Sequence, residues 1–142
     1  MSTAEITVRS FHTDCFGHVH HARYLELLEE ARWRYFEDMP AVVQDLHAAG
    51  IRHAVVRIDI AYTKEARLGD TLRIETGVSQ TGHSSITMLQ NIFQCRTGAS
   101  VASAAVTNVY YRSSLREKVS IRGKEFAAWE ALQQVPIADK IE

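Results

Sequence analysis

Cysteine is scarce in this chain: Cys15 and Cys95 are the only two in 142 residues. Two distant cysteines make no disulfide framework and predict reduced thiols. Charge of one sign is lacking as well. With 16 basic and 17 acidic side chains the formal net charge is -1, so no positive field exists to hold a polyanion by counterion release, and nucleic acid is not an expected partner. Long apolar runs are missing: no window approaches the ~18 apolar residues that could span a bilayer. The opening Met-Ser-Thr-Ala-Glu-Ile-Thr-Val has neither the basic start nor the apolar core of a signal peptide. These absences predict a cytoplasmic protein with no membrane insertion. No linker and no repeat interrupts the chain, so one domain over 1–142 is expected, and 46% hydrophobic residues can bury a core without staples.

Periodicity supplies the elements. Thr3 to Phe11 alternate loosely in a β-rich composition and predict a first strand, running into a polar loop from His12 to His21. From Ala22 to Met39 the spacing changes to three and four, with Tyr24, Leu27, Leu28, Ala31 and Tyr35 on one stripe. This predicts the longest helix, stopped by Pro40. A shorter helix is expected over Ala41 to Ala49, ending at Gly50, which adopts positive φ without a Cβ clash. The period then falls to two. Val56, Ile58, Ile60 and Tyr62 alternate with polar or small neighbours, predicting a strand with one buried face. Leu72 to Val78, Ser84 to Cys95 and Ser100 to Arg112 predict three more strands, the last two joined by a hairpin-length link at Arg96–Ala99. A final helix is expected over Gly123 to Gln134. Strands this close in sequence leave no room for helical crossovers, so the fold class is α+β, with an antiparallel sheet covering the long helix.

Reactive side chains concentrate in His12-Thr13-Asp14-Cys15-Phe16-Gly17-His18-Val19-His20-His21, just before that helix. A helix N-terminus presents unpaired amides and the positive end of the dipole to an oxyanion. A carboxylate beside it is the minimum equipment for acyl transfer: the amides stabilise charge developing on a carbonyl oxygen, and the carboxylate attacks the carbonyl or activates water. The rival readings are local. Asp14 could simply brace the loop, His18 could shape it, and His20 and His21 could be exposed polar residues. Cys15 has no base paired with it. Histidine and aspartate are also zinc ligands, but these lie in one short loop, whereas a rigid site draws ligands from separate elements, so no metal is expected.

The segment His12 to Val19, followed by His20-His21-Ala22-Arg23-Tyr24-Leu25, resembles the signature of the 4-hydroxybenzoyl-CoA thioesterase family of hotdog proteins, roughly Asp-x-Asp-x-x-Gly-His-Val-Asn-Asn-x-x-Tyr. Ala66-Arg67-Leu68-Gly69-Asp70 and Gly82-His83-Ser84-Ser85 resemble later family turns, so the likeness covers about Ile6 to Arg112. The resemblance implies a hotdog fold, in which the antiparallel sheet wraps around one long central α-helix. It also implies a homodimer or homotetramer with active sites at the subunit interface, and acyl-CoA thioester hydrolysis without a metal or bound cofactor. Carried over by position, Asp14 matches the catalytic Asp, as nucleophile or general base. The amides of His21 and Ala22 match the oxyanion-binding helix end, and Tyr24 matches the family Tyr; His18, if it does more than shape the loop, could hydrogen-bond the acyl group. Two departures stand out: His12 replaces the first acid, and His20-His21 replaces the Asn pair.

Coenzyme A carries phosphates and needs cations at the mouth of its site. The candidates are Lys64, Arg67, His83, Arg96, Arg112 and Arg116, with His83 and Arg112 preferred because they flank strand ends. Two other functions compete with the thioesterase: a hotdog hydratase/dehydratase acting at the β-carbon of an acyl thioester, and a non-catalytic acyl-CoA-binding module. The Asp-x-x-Gly-His-Val arrangement favours the thioesterase.

Overall fold

A computed structural model describes residues 1–121; the helix expected over Gly123 to Gln134 lies outside them. Strand β1 (Ser2–Thr7) leads through a 3-10 turn at Ser10–His12 and the histidine-rich loop to helix α1 (Arg23–Glu37). The first strand is therefore shorter than its composition predicts. At His12 the chain has already turned, because the His12 Nδ1 accepts the Arg9 N–H at 2.9 Å. Pro40 ends one helix by opening another, standing in the first turn of α2 (Pro40–Ala48), where its missing N–H is no loss. Gly50 follows with φ of +69°, as expected of a residue that reverses the chain after a helix.

The remaining strands are β2 (Ile51–Tyr62), β3 (Thr71–Thr81), β4 (Ser85–Gln94), β5 (Ser100–Arg112) and the short β6 (Glu117–Lys118). Sheet order is β1-β3-β4-β5-β2, with β6 on the end of β5, and every pairing is antiparallel. The apolar stripe of α1 (Tyr24, Leu27, Leu28 and Ala31) packs on inward residues of the sheet such as Leu72, Ile74, Ile92 and Val106. A second apolar cluster joins the end of α1 to α2 through Tyr35, Phe36, Val42 and Leu46, against Ile86, Met88 and Tyr110.

One strand departs from its pattern. The alternation of Val56, Ile58, Ile60 and Tyr62 predicts one buried face, yet of these four only Ile58 and Ile60 pack partly on the core, while Val56 is 60% and Tyr62 47% exposed. Two causes act. β2 is the end strand of the sheet order, and α1 meets it through ring contacts at its two ends, Tyr24 on Tyr62 and Phe36 on His53. Its register against β5 also shifts between Val55 and Arg57, so Val56 is a bulge residue out of phase with Ile58.

Candidate active site

The loop before α1 is tied down by its own backbone. Asp14 and Gly17 close a tight turn, Gly17 N–H to Asp14 O at 3.1 Å, with Gly17 at φ +79°, where a Cβ would be strained. The Asp14 N–H donates to His18 O at 2.8 Å, and Val19 N–H reaches Ala66 O at 2.8 Å, stitching the loop to the segment before β3. Asp14 Oδ1 accepts from the amides of Phe16 at 2.9 Å and His18 at 3.3 Å. One carboxylate oxygen thus holds the loop, and Oδ2 accepts nothing among the described residues.

A cavity of about 410 Å³ joins Asp14, His18, His21, Tyr24, Tyr62 and Lys64. Four of the residues expected at the site, Asp14, His18, His21 and Tyr24, therefore meet in one place, and Lys64 joins them as a candidate cation. Tyr24 is buried, and its ring stacks obliquely on Tyr62 at 5.3 Å between centroids. Burial raises the Tyr24 hydroxyl above the usual tyrosine range, opposed by a backbone hydrogen bond with Ala66. It stays protonated and neutral.

The start of α1 is partly closed. The Ala22 N–H, expected to be open to an oxyanion, donates to His20 Nδ1 at 3.1 Å, and Arg23 N–H bonds His20 O at 2.8 Å. Histidine at position 20 is thus no idle departure: its ring nitrogen accepts a helix-end amide, as an Asn oxygen does at an N-cap. The His21 N–H has no hydrogen-bond partner among the described residues. The His12 departure has a similar account, since its Nδ1 accepts the Arg9 amide as a carboxylate could.

Two contributors escape a reading of the sequence. The Tyr62 hydroxyl donates to His21 O at 2.8 Å, pinning the helix start to the end of β2. Glu65 Oε2 lies 3.0 Å from His18 Nδ1, and its other oxygen accepts from Arg67 at 2.9 Å. Arg67 holds the Glu65 carboxyl below the usual carboxylate range, with His18 and Lys64 adding to the effect. The first contact spans 41 residues and no local pattern announces it.

His83 and Arg112 are not brought to Asp14. They sit at the far end of the sheet, where Ile121 N–H bonds His83 O and Arg112 Nη1 donates to Ala49 O at 2.8 Å. Arg112 thereby closes the C-terminus of α2, a use of arginine that explains its position without a phosphate. Arg96 borders a separate cavity at the β3 start. Arg116 lies in the turn before β6, with φ of +53°. Among the described residues no three His, Cys, Asp or Glu side chains gather as a metal site, and no helix is long and apolar enough to cross a membrane.

An antiparallel sheet curled on one helix, with an acid-bearing loop at the helix start, is the hotdog thioesterase arrangement, and the chain belongs to the thioesterase-like superfamily, whose pattern matches residues 8–131. Among individual proteins, it is 36% identical over 120 residues to the long-chain acyl-CoA thioesterase FadM of Escherichia coli, covering 84% of this chain and 90% of that one. The acyl-CoA thioesterase YbgC of Haemophilus influenzae is 33% identical over 98 residues, 68% of this chain and 72% of the relative. The crystal structure of Escherichia coli YbaW superposes with a TM-score of 0.86 at 33% identity, covering 93% of this chain and 98% of that one. This chain is a thioester hydrolase of hotdog fold.

Proposed function

We propose that the chain hydrolyses acyl-CoA thioesters at the Asp14 cavity, yielding a free acid and coenzyme A. The observation that carries this reading is the division of labour on one carboxylate: Oδ1 is held by two amides, which leaves Oδ2 for chemistry. Oδ2 attacks the thioester carbonyl or takes a proton from the attacking water. The developing oxyanion is met by the His21 amide at the positive end of α1, and by the Ala22 amide once the His20 ring turns aside. Tyr62 holds that helix end in place, and Lys64 supplies a cation at the mouth. No metal or bound cofactor is assigned a step, because backbone amides carry the polarisation. The FadM relative is named for long-chain acyl-CoA, so such thioesters belong in the first panel.

The site is completed by a second copy. β2 is a 12-residue end strand with apolar side chains turned outward, a surface that single-chain proteins blunt or cover. Antiparallel pairing of two β2 edges lays the start of the partner's β2 beside this chain's Tyr62 and Asp14 cavity. Sedimentation at micromolar concentration should show at least a dimer of the 16.0 kDa chain; a monomer of full activity would overturn the shared site. Such an assembly needs no membrane, and a cytoplasmic location is in keeping with it.

A panel of acyl-CoA thioesters with thiol detection, run after EDTA dialysis, tests the activity. Release of free coenzyme A supports hydrolysis. Product retaining its thioester would mean a hydratase, and binding without turnover an acyl-CoA-binding module.

A further inference from the structure

Away from Asp14, between the second half of α1 and β2, lies an open apolar groove. It has a cavity of about 490 Å³ walled by Trp33, Phe36, Leu46, Ile51 and Tyr110. Its neighbour, about 190 Å³, shares Trp33, Phe36 and His53 but is polar at its base, where Arg32 and Asn108 appear. Arg32 is only 8% exposed and forms no ion pair among the described residues. Its Nη1 donates to Gln90 Oε1 at 2.9 Å. Gln90 cannot offer more, because its amide nitrogen is fixed on Leu28 O at 2.9 Å and Thr76 Oγ1 at 3.0 Å. A guanidinium has five N–H donors, so this bond leaves capacity for a second acceptor.

Asn108 is 2% exposed, and its Nδ2 has no hydrogen-bond partner among the described residues, while its Oδ1 lies 3.3 Å from His53 Nδ1. A buried cation without a counterion and a buried amide without an acceptor are each costly, and here they border one cavity. The Asn108 amide lacks an oxygen acceptor, and the Arg32 guanidinium, bonded only to the neutral Gln90 oxygen, can take a negative one. The other polar groups do not supply it. His53 is held below the usual histidine range by desolvation, against its Asn108 contact, and stays neutral. Glu29 also borders this cavity and its charge favours the Arg32 cation, but it is exposed, accepts the Trp33 indole N–H at 3.4 Å and makes no ion pair with Arg32.

We propose that this cavity is a subsite for a distal carboxylate, held by the Arg32 guanidinium and the Asn108 amide, so that the preferred substrates are CoA thioesters of dicarboxylic acids. The methylene chain lies on the apolar wall, and the second carboxylate fills the polar base. Arg32 stands about 14 Å along α1 from Arg23, at ~1.5 Å per residue, a span suited to acyl groups of medium length. The assignment rests on the acyl-CoA thioesterase reading above.

The test compares adipoyl-, suberoyl- and sebacoyl-CoA with hexanoyl-, octanoyl- and decanoyl-CoA, using the full chain. At the best length the dicarboxylic thioester should exceed its monocarboxylic match by about tenfold or more in kcat/KM. That ratio should collapse toward one in Asn108→Leu and in Arg32→Met, variants that keep side-chain bulk. Equal use of both series, or a ratio unmoved in either folded variant, overturns the subsite and leaves the thioesterase standing. If no acyl-CoA is hydrolysed, calorimetry decides the subsite alone: free octanoate should bind at least tenfold tighter than 1-octanol, which has the chain and no carboxylate, and Asn108→Leu should abolish the difference. Sedimentation of Arg32→Met guards the remaining case. Conversion of a dimer to monomers would mean that a second copy fills the cavity, which overturns the proposal; an unchanged oligomer supports it.

Discussion

The two ends of α1 are built on opposite plans. At its start, Asp14 and the amides of His20 to Arg23 are organised mainly by short-range bonds inside one loop, which Tyr62, Glu65 and Ala66 then tie to the sheet, and the cavity there is open to solvent. Toward its end, Arg32 is met by Gln90, His53 and Asn108 from three strands, with bonded partners 55 to 58 residues apart, and three of the four are buried. A reacting carboxylate needs solvent access and a local turn to aim it. A recognition pocket needs dry walls, which only long-range packing provides. The start of the helix is therefore assigned chemistry and its second half selectivity.

The largest expected effect breaks the first of these assignments. Asp14→Asn keeps an oxygen to accept the Phe16 and His18 amides but removes the charge and the basicity. kcat should fall by roughly 10²-fold or more with little change in melting temperature. An Asp14→Asn protein that folds as wild type and hydrolyses within a few-fold of the normal rate would make Asp14 a loop brace and nothing else. Tyr62→Phe comes next. Loss of the 2.8 Å bond to His21 O frees the helix start without disturbing the ring contact with Tyr24. A single hydrogen bond at ~1 kcal/mol predicts a loss of roughly three- to tenfold in kcat. An unchanged rate would show that the start of α1 is rigid without β2.

Legibility in the sequence follows the same division. The α+β order, the long helix and the Asp14 loop are written in periods of two and 3.6 and in a run of neighbouring polar residues, so they can be read directly. Val56 misleads because a bulge shifts the phase of β2 where no Gly or Pro marks it. At Arg112 the sequence does not announce the partner found, since a cation at a strand end gives no sign that it reaches the carbonyl of Ala49. Tyr62, Glu65 and Asn108 are invisible, since each acts on a residue that the sheet brings back from far along the chain. His12 lies in plain view but its role does not. Its buried ring accepts the Arg9 amide, and desolvation lowers its pKa below 6.5. Because the unfolded chain takes up a proton more readily, this contribution is complete above pH 6.5 and is lost as pH falls below it. Thermal melts from pH 7.5 to 5 should therefore decline in the wild type and flatten in His12→Asn, which keeps an acceptor that does not titrate. Parallel curves for the two proteins would remove His12 from the account.

The smallest effect is expected at Glu65, and it decides how far the chemistry of the loop extends. The Glu65 carboxylate touches both His18 and Arg67, but its side chain is 48% exposed, where solvent screens ion pairs and ordering long side chains offsets the gain. Its lowered pKa gives stability that is present above the normal carboxylate range and is lost as pH falls through the folded value, a small contribution at a solvated site. Glu65→Gln removes the charge and keeps the reach, so melting temperature should stay close to that of the wild type and kcat at neutral pH within about twofold. His18 would then be held well enough by its backbone bridge to Arg67, which pairs the two residues independently of the side chains. A tenfold fall in kcat with KM unchanged, together with a shifted pH–rate profile, would say otherwise. It would place Glu65 as a positioning residue that orients the His18 ring toward the substrate, and the reacting unit would be Asp14 with a His18–Glu65 pair, not Asp14 and helix amides alone.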